Sequence, residues 1–259
     1  MELLPIPEKL TPFVKDISCD ECSDSGADNS FPFYADGFPG IIYSTSKNPF
    51  YLQPANLKLC DFYLYGQTLE PISLDIKGEF EMVLLRLYPF AVRILLGVDP
   101  KVLNDRCHDL MRTENIDTQS TLDKLRKTKK QDEIVDIIAD YMDELVKNAS
   151  VNPDYTIKLA TNMILKANGD ISIKEVRERL YITERTLERN ILKEIGVTAK
   201  QFAKIIQFST SMNQITDAEF LNLTEIGYEN GFSDQSHFIR TFKKFTGKTP
   251  KEFQNQFAF

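Results

Sequence analysis

The chain has 259 residues, 42% of them hydrophobic and 27% charged, which is enough apolar surface for one large or two ordinary cores and excludes an intrinsically disordered chain. The formal net charge of −7 argues against a uniformly basic nucleic-acid binder, but residues 1–150 carry 16 Lys and Arg against 25 Asp and Glu, and residues 151–259 carry 15 against 13. That asymmetry, −9 against +2, predicts two domains with different partners.

The chain starts MELLPIPEKL, without the basic stretch and apolar run of a secretion signal, so a cytoplasmic location is expected. Leu10 to Ile17 reads as a short leading helix. Apolar runs between turn signals then predict strands over Gly40–Ser44, Asp61–Gly66, Ile72–Ile76 and Phe80–Tyr88, the texture of a small barrel or sandwich. The most apolar window, Met82 to Val98, is broken by Arg86, Pro89 and Arg93, which predicts core rather than a membrane span. From Asp99, a capping residue before Pro100, a helix is expected to run to about Met111. A polar loop at Asn115–Thr118 precedes helices expected over Ser120–Thr128 and Gln131–Lys147. The latter bears an apolar stripe at Ile134, Ile137, Ile138, Tyr141, Met142 and Leu145, to be covered by the barrel or by a dimer partner. Asn148 to Asp154 reads as the interdomain linker.

The remainder predicts seven helices. Ile157, Ala160, Ile164 and Leu165 give the first an apolar face, and Gly169 stops it. Ser172 with Glu175, Thr198 with Gln201, and Asn222 with Glu225 have the spacing of capping boxes; Thr183 and Asp234 are further caps, and Thr249, Pro250 and Glu252 open the last helix. Two helix-turn-helix units follow from this pattern: Ile173–Leu180 with Glu184–Ile195, and Leu223–Asn230 with Gln235–Thr246. In such a unit the N-terminal half of the second helix faces base edges. Leu187 and Ile191 are expected inward in the first unit, leaving Arg185, Glu188 and Arg189 outward. Phe238 and Phe242 are expected inward in the second, leaving Gln235, Ser236 and Arg240 outward, with Lys243, Lys244 and Lys248 suited to phosphates.

Residues 155–257 resemble the paired helix-turn-helix domain of the AraC/XylS family of bacterial transcription regulators, most closely in GFSDQSHFIRTFKKFTGKTPKEF, Gly231 to Phe253. The resemblance implies base contacts from Arg185, Glu188, Arg189, Gln235, Ser236 and Arg240. It further implies a rigid joint from Ala199 to about Thr216, and reading helices about one DNA turn (~34 Å) apart. Departures are Gln207 where the family carries Arg, Ser211 and Gly227 where Ala is usual, and a polar Ser209-Thr210-Ser211 run. PEKLTPFVKDI, PFYADGFPGIIYS and LYPFAVRILLGVDPKVLNDRCHDL resemble the cupin-like sensory domain of one branch of the family. The expected architecture is therefore an α+β, cupin-like domain with a helical tail at 1–150, followed by an all-α double helix-turn-helix at 151–259. The resemblance implies an activator that binds double-stranded DNA, with RNA polymerase, a small-molecule effector and a second copy of the chain as further candidate partners.

Other chemistry is poorly supported. Cys19-Asp20-Glu21-Cys22 lacks a second CxxC, so incidental reduced thiols in an acidic loop are expected, as for Cys60 and Cys107. His108, expected in a helix beside Cys107, and His237, facing the turn of the second unit, are too few for a metal-dependent cupin; no metal, cofactor or enzyme activity is expected. Phe31, Phe33, Tyr34, Phe38, Tyr43, Phe62, Tyr63 and Tyr65 are to fill the barrel or line a ligand pocket. The alternative is a small-molecule-binding or scaffolding relative whose DNA-reading surface has decayed.

Overall fold

The computed structural model describes residues 2–114, 116–149, 154–217 and 222–256. The N-terminal half is built on alternation. Strand β1 (Glu2–Leu4) and a 3-10 turn lead into β2 (Val14–Cys22), β3 (Asp28–Phe33), β4 (Gly40–Ser46), β5 (Tyr51–Gln53), β6 (Leu57–Lys58), β7 (Phe62–Tyr65), β8 (Ile72–Lys77) and β9 (Phe80–Leu87). Next come helix α1 (Ala91–Leu96), strand β10 (Cys107–Asp109), and helices α2 (Thr118–Lys127) and α3 (Gln131–Lys147). The strands form a six-stranded sheet, β1-β2-β9-β4-β7-β10, and a four-stranded sheet, β3-β8-β5-β6, with every pairing antiparallel.

The six-stranded sheet is apolar on both faces because both are covered. On β9, Phe80, Met82 and Leu84 join the core between the sheets, and Val83, Leu85 and Leu87 join the core under the helices. Strand β7 divides the same way: Tyr63 and Tyr65 point one way, Phe62 and Leu64 the other. The stripe of α3 closes the outer face, with Ile134, Ile138, Tyr141, Met142 and Leu145 buried and Ile137 packed against them. The barrel, not a second chain, therefore covers it.

Several expectations need correction. Leu10–Ile17 is no helix: Leu10 ends a 3-10 turn, and Val14 begins a strand because its neighbours pair with β9. Long-range pairing overrides a locally helical pattern there. The CxxC consequently lies in β2, and its thiols take opposite sides. Cys19 joins the helix-covered core and Cys22 the core between the sheets. The helix expected from Asp99 to Met111 breaks into a 3-10 turn, Pro100–Leu103, and β10, which places His108 in a strand. Asp99 does cap, accepting from the Lys101 N–H, but Asp105 adopts a left-handed φ of 55° and its Oδ1 accepts from the Leu69 and Glu70 N–H groups. Strands β1, β3, β5 and β6 carry no signal strong enough to have been read. The expected linker lies partly outside the described residues, as does Asn115 of the expected loop.

The helical domain has α4 (Tyr155–Lys166), α5 (Ile173–Arg179), α6 (Glu184–Ile195), α7 (Ala199–Asp217), α8 (Leu223–Glu229), α9 (Gln235–Thr246) and α10 (Pro250–Gln254). Side chains of Asp154, Ser172, Thr183, Asn222, Asp234 and Thr249 accept from backbone N–H groups at the helix starts, and the Thr198 hydroxyl takes the Gln201 N–H. Thr249 and Glu252 form a reciprocal box, whereas Glu175 turns to Arg179. One core joins α4, α5, α6 and the first half of α7; a second, rich in phenylalanine, joins the rest of α7 with α8, α9 and α10.

The two domains dock. Arg93 of α1 faces Glu194 of α6 at 3.3 Å, and Asn104 Nδ2 donates to the Gly196 carbonyl at 3.0 Å. Gly196 has φ +87°, and a Cβ there would lie 2.7 Å from the Lys101 nitrogen, so only glycine permits this approach. Ala35 enters the second helical core, the Tyr34 ring meets Phe253 at 5.4 Å, and Gly37 lies against Phe202 and Ile206.

Burial raises the carboxyl pKa of Glu194 more than Arg93 and Lys193 lower it, and Asp154 adds to the rise. A raised folded-state pKa contributes stability below the unfolded value, and that contribution is lost as pH rises through the folded value. Glu194→Gln is therefore expected to gain melting temperature relative to the parent chain at pH 7 and to lose that advantage by pH 4. Thermal unfolding at the two pH values checks this.

Candidate nucleic-acid interface

The capping and packing already described fix which face of α6 and of α9 is free. On α6, Leu187 and Ile191 are buried, so Arg185 and Arg189 are exposed. On α9, Phe238, Phe242 and Phe245 are buried, leaving Gln235, Ser236, Arg240, Lys243 and Lys244 exposed. Asp234 holds the start of α9 by accepting from the His237 N–H at 2.7 Å, which keeps its carboxyl below the usual range. The Gln235 amide donates to the Thr224 hydroxyl, bracing the two helices of the second unit. The His237 ring stands edge-on to Phe232 at 5.4 Å, with Nδ1 3.4 Å from the Ser233 hydroxyl.

Glu188 differs from expectation. It is half-buried, and its Oε2 accepts from the Ala199 N–H at 3.1 Å, so the carboxylate caps the joining helix instead of standing free. A negative side chain at this helix start is favourable.

Part of the departure from the AraC/XylS pattern has a local account. Helix α7 runs Ala199–Asp217 and contributes to both helical cores. Two members of its polar run bond back to the helix: Thr210 Oγ1 donates to the Ile206 carbonyl at 3.0 Å and buried Ser211 Oγ to the Phe208 carbonyl at 2.8 Å. Gly227 packs under the Phe238 ring, where an added Cβ would lie 3.3 Å from Cδ1.

Two further cations, Lys200 and Lys204, were missed by sequence reasoning. Burial first, and then the charges of Lys244, Lys200 and Arg240, lower the Lys204 pKa. Lys204 thus stands within electrostatic reach of Lys200 on its own helix and of Arg240 and Lys244 on α9, on a chain whose net charge is −7. The available signal was the four-residue spacing of Lys200 and Lys204, on the helix face opposite buried Phe202.

The β-domain offers little space between its sheets. Tyr63 and Tyr65 are buried there, and the cavity beside Phe33, Ile42, Tyr63 and Leu74 is ≈ 10 Å³, about one water. A larger cleft of ≈ 390 Å³ opens between α1, β10 and the end of α3, beside Leu95, Val98, His108, Arg112 and Leu145. Among the described residues no group of three or more His, Cys, Asp or Glu side chains is placed to hold a metal ion, and no helix is long and apolar enough to cross a membrane.

Residues 176–256 match a family model described as a helix-turn-helix domain, and residues 2–109 match a domain of unknown function, DUF6597. An uncharacterised HTH-type transcriptional regulator of Staphylococcus aureus is 28% identical over 104 residues, covering 40% of this chain and 14% of that protein. The ornithine utilization regulator of Pseudomonas aeruginosa is 30% identical over 93 residues, 36% of this chain and 27% of that one. The chain thus matches only about a seventh to a quarter of the length of these relatives. The crystal structure of ToxT from Vibrio cholerae aligns over 93% of this chain and 98% of its own, with a TM-score of 0.51 and 13% identity. ToxT with bound unsaturated fatty acid aligns over 92% and 94%, with a TM-score of 0.50 and 14% identity. Residues 176–256 thus form an AraC-type helix-turn-helix domain, carried behind a β-rich two-sheet domain in the two-domain fold that ToxT also has.

Proposed function

We propose that the chain is a sequence-specific transcription regulator, an activator, that reads duplex DNA with α6 and α9 in successive major grooves. The observation that carries this reading is the exposed face of α9 in its helix-turn-helix unit, which presents Gln235, Ser236, Arg240, Lys243 and Lys244, with Lys204 of α7 within electrostatic reach of Arg240 and Lys244. Repelling cations on a folded surface are stabilised by a polyanion, and a duplex supplies one. Arg185 and Arg189 on α6, and Gln235, Ser236 and Arg240 on α9, take the base edges. Lys200, Lys204, Lys243 and Lys244 take phosphates, and Glu188 serves the joint. The β-domain acts on the reading helices through its contacts with Glu194, Gly196 and α7, and so is where an effector or a partner such as RNA polymerase exerts control from the cytoplasm. ToxT shares this fold and has been solved with an unsaturated fatty acid bound; the ≈ 10 Å³ cavity beside Phe33 and Tyr63 is too small to hold such a molecule here.

The test is binding of the full chain to a duplex selected from a random library and to an unrelated duplex. Arg240→Ala is expected to cost about 1–3 kcal/mol on the selected sequence and much less on the other. Lys204→Ala should weaken both alike and reduce the slope of log affinity against log salt by about 1. Equal losses from both variants on both duplexes would remove Arg240 from the base-reading set.

A further inference from the structure

The first helices of the two units end in the same hydrogen-bonded turn, but with different residues at its critical position. After α8, the Gly231 N–H bonds the Tyr228 carbonyl at 3.0 Å and the Phe232 N–H bonds Gly227 at 3.0 Å, with Gly231 at φ +73°. After α5, the Tyr181 N–H bonds the Glu178 carbonyl at 3.2 Å and the Ile182 N–H bonds Arg177 at 3.1 Å, with Tyr181 at φ +54°. This paired pattern demands a left-handed residue, and glycine is the residue it favours. A bulky side chain there is strained by contact between its Cβ and the following carbonyl.

Strain of this kind is usually offset by packing, yet the Tyr181 ring is 96% exposed and has no hydrogen bond or ring contact among the described residues. Its neighbours Leu180 and Ile182 are half-buried and pack on the first helical core, so Tyr181 alone projects from the turn. It stands two residues before the cap of α6 and four before Arg185, which makes no ion pair or side-chain hydrogen bond among the described residues. The free chain gains nothing from the ring, and a strained residue retained without local benefit points to a contact made in a complex.

We propose that Tyr181 is a DNA-backbone contact of the first unit, its phenol hydroxyl donating to a phosphate oxygen beside the groove that Arg185 enters. Tyrosine hydroxyls are among the groups that make such positioning contacts. The inference rests on the reading of the helical domain as a duplex binder.

The experiment compares the full chain with Tyr181→Gly and Tyr181→Phe, by thermal unfolding and by binding to the library-selected duplex and an unrelated one. Tyr181→Gly is expected to melt about 2–4 °C higher while binding both duplexes about tenfold more weakly. Tyr181→Phe, which keeps the strain and loses the hydroxyl, should melt like the parent and bind as weakly as the glycine variant. Glycine raising stability with binding unchanged, glycine giving no gain in stability, or phenylalanine retaining full affinity would each overturn the proposal. If the parent chain binds no duplex at all, the duplex-binding reading falls and this contact falls with it, a result distinct from parental binding that the variants leave unaltered.

Discussion

Phe242→Ala is expected to destabilise the second helix-turn-helix by about 3–5 kcal/mol, the cost of truncating a fully buried aromatic. Phe242 has no exposed surface, and its ring meets Phe208 at 5.1 Å, Phe253 at 5.2 Å and Phe238 at 5.7 Å, each edge-on. These rings come from α7, α9 and α10, so one cavity loosens the joint, the reading helix and the last helix together. The loss is a large share of the ~5–15 kcal/mol that holds an ordinary domain folded. Urea unfolding measures it as a fall in midpoint. The same variant should lose the half-site read by α9 before that read by α6, because the first unit has a separate core. Phe242→Leu retains most of the volume and should be milder on both readouts.

Arg86→Ala is expected to be nearly as costly, although Arg86 lies far from the proposed DNA surface. From β9 its Nε and Nη2 reach the two carboxylate oxygens of Asp16 at 2.7 and 2.8 Å, and Nη1 reaches Asp36 at 3.2 Å. Removing one member of a buried ion network costs about 3–5 kcal/mol; the partners here are 21–32% exposed, which sets the expectation at the lower end. Asp36 also accepts from the Phe38 N–H at 2.8 Å, and the Gly37 carbonyl takes the Gln67 amide at 3.0 Å, so the network holds the turn that rests on Phe202 and Ile206 of α7. Burial raises the Asp36 carboxyl pKa, and Arg86 is the largest influence opposing that rise. Without the guanidinium the folded-state pKa rises further, so the variant's deficit is full at neutral pH and shrinks as pH falls through the carboxylate range and Asp36 protonates. The gap between the variant's melting temperature and the parent's should therefore be smaller at about pH 4.5 than at about pH 7, without closing, because Asp16 has also lost its partner. Arg86→Lys should restore little, since a single ammonium does not reproduce the fork.

The parts of this molecule that were legible in its sequence are those decided locally. Caps at Ser172, Thr183, Asn222, Asp234 and Thr249, and the spacing of Leu187 and Ile191 or Phe238 and Phe242, act within one or two turns of helix. The strands that escaped reading depend on distant partners: Val14 pairs with Leu87, and Asp28 with Lys77. Asp105 shows the same limit at the scale of one residue, because the Leu69 and Glu70 amides that its side chain takes lie far back in the chain. The candidate site divides along the same line. Exposure of Arg185, Arg189, Gln235, Ser236 and Arg240 follows from helical phase, whereas the capture of Glu188 by Ala199 and the meeting of Lys204 with Arg240 and Lys244 depend on how α7 lies across both units. A nearly neutral domain charge of +2 concealed a cation cluster that only folding assembles.

The most direct test of the central claim is selection of bound sequences from a random duplex library by the full-length chain. Two short half-sites with centres about ten base pairs apart are the expected result, since the proposed reading sets α6 and α9 in successive major grooves. Recovery of a single half-site, or of no preferred sequence with affinity insensitive to salt, would contradict the two-groove reading.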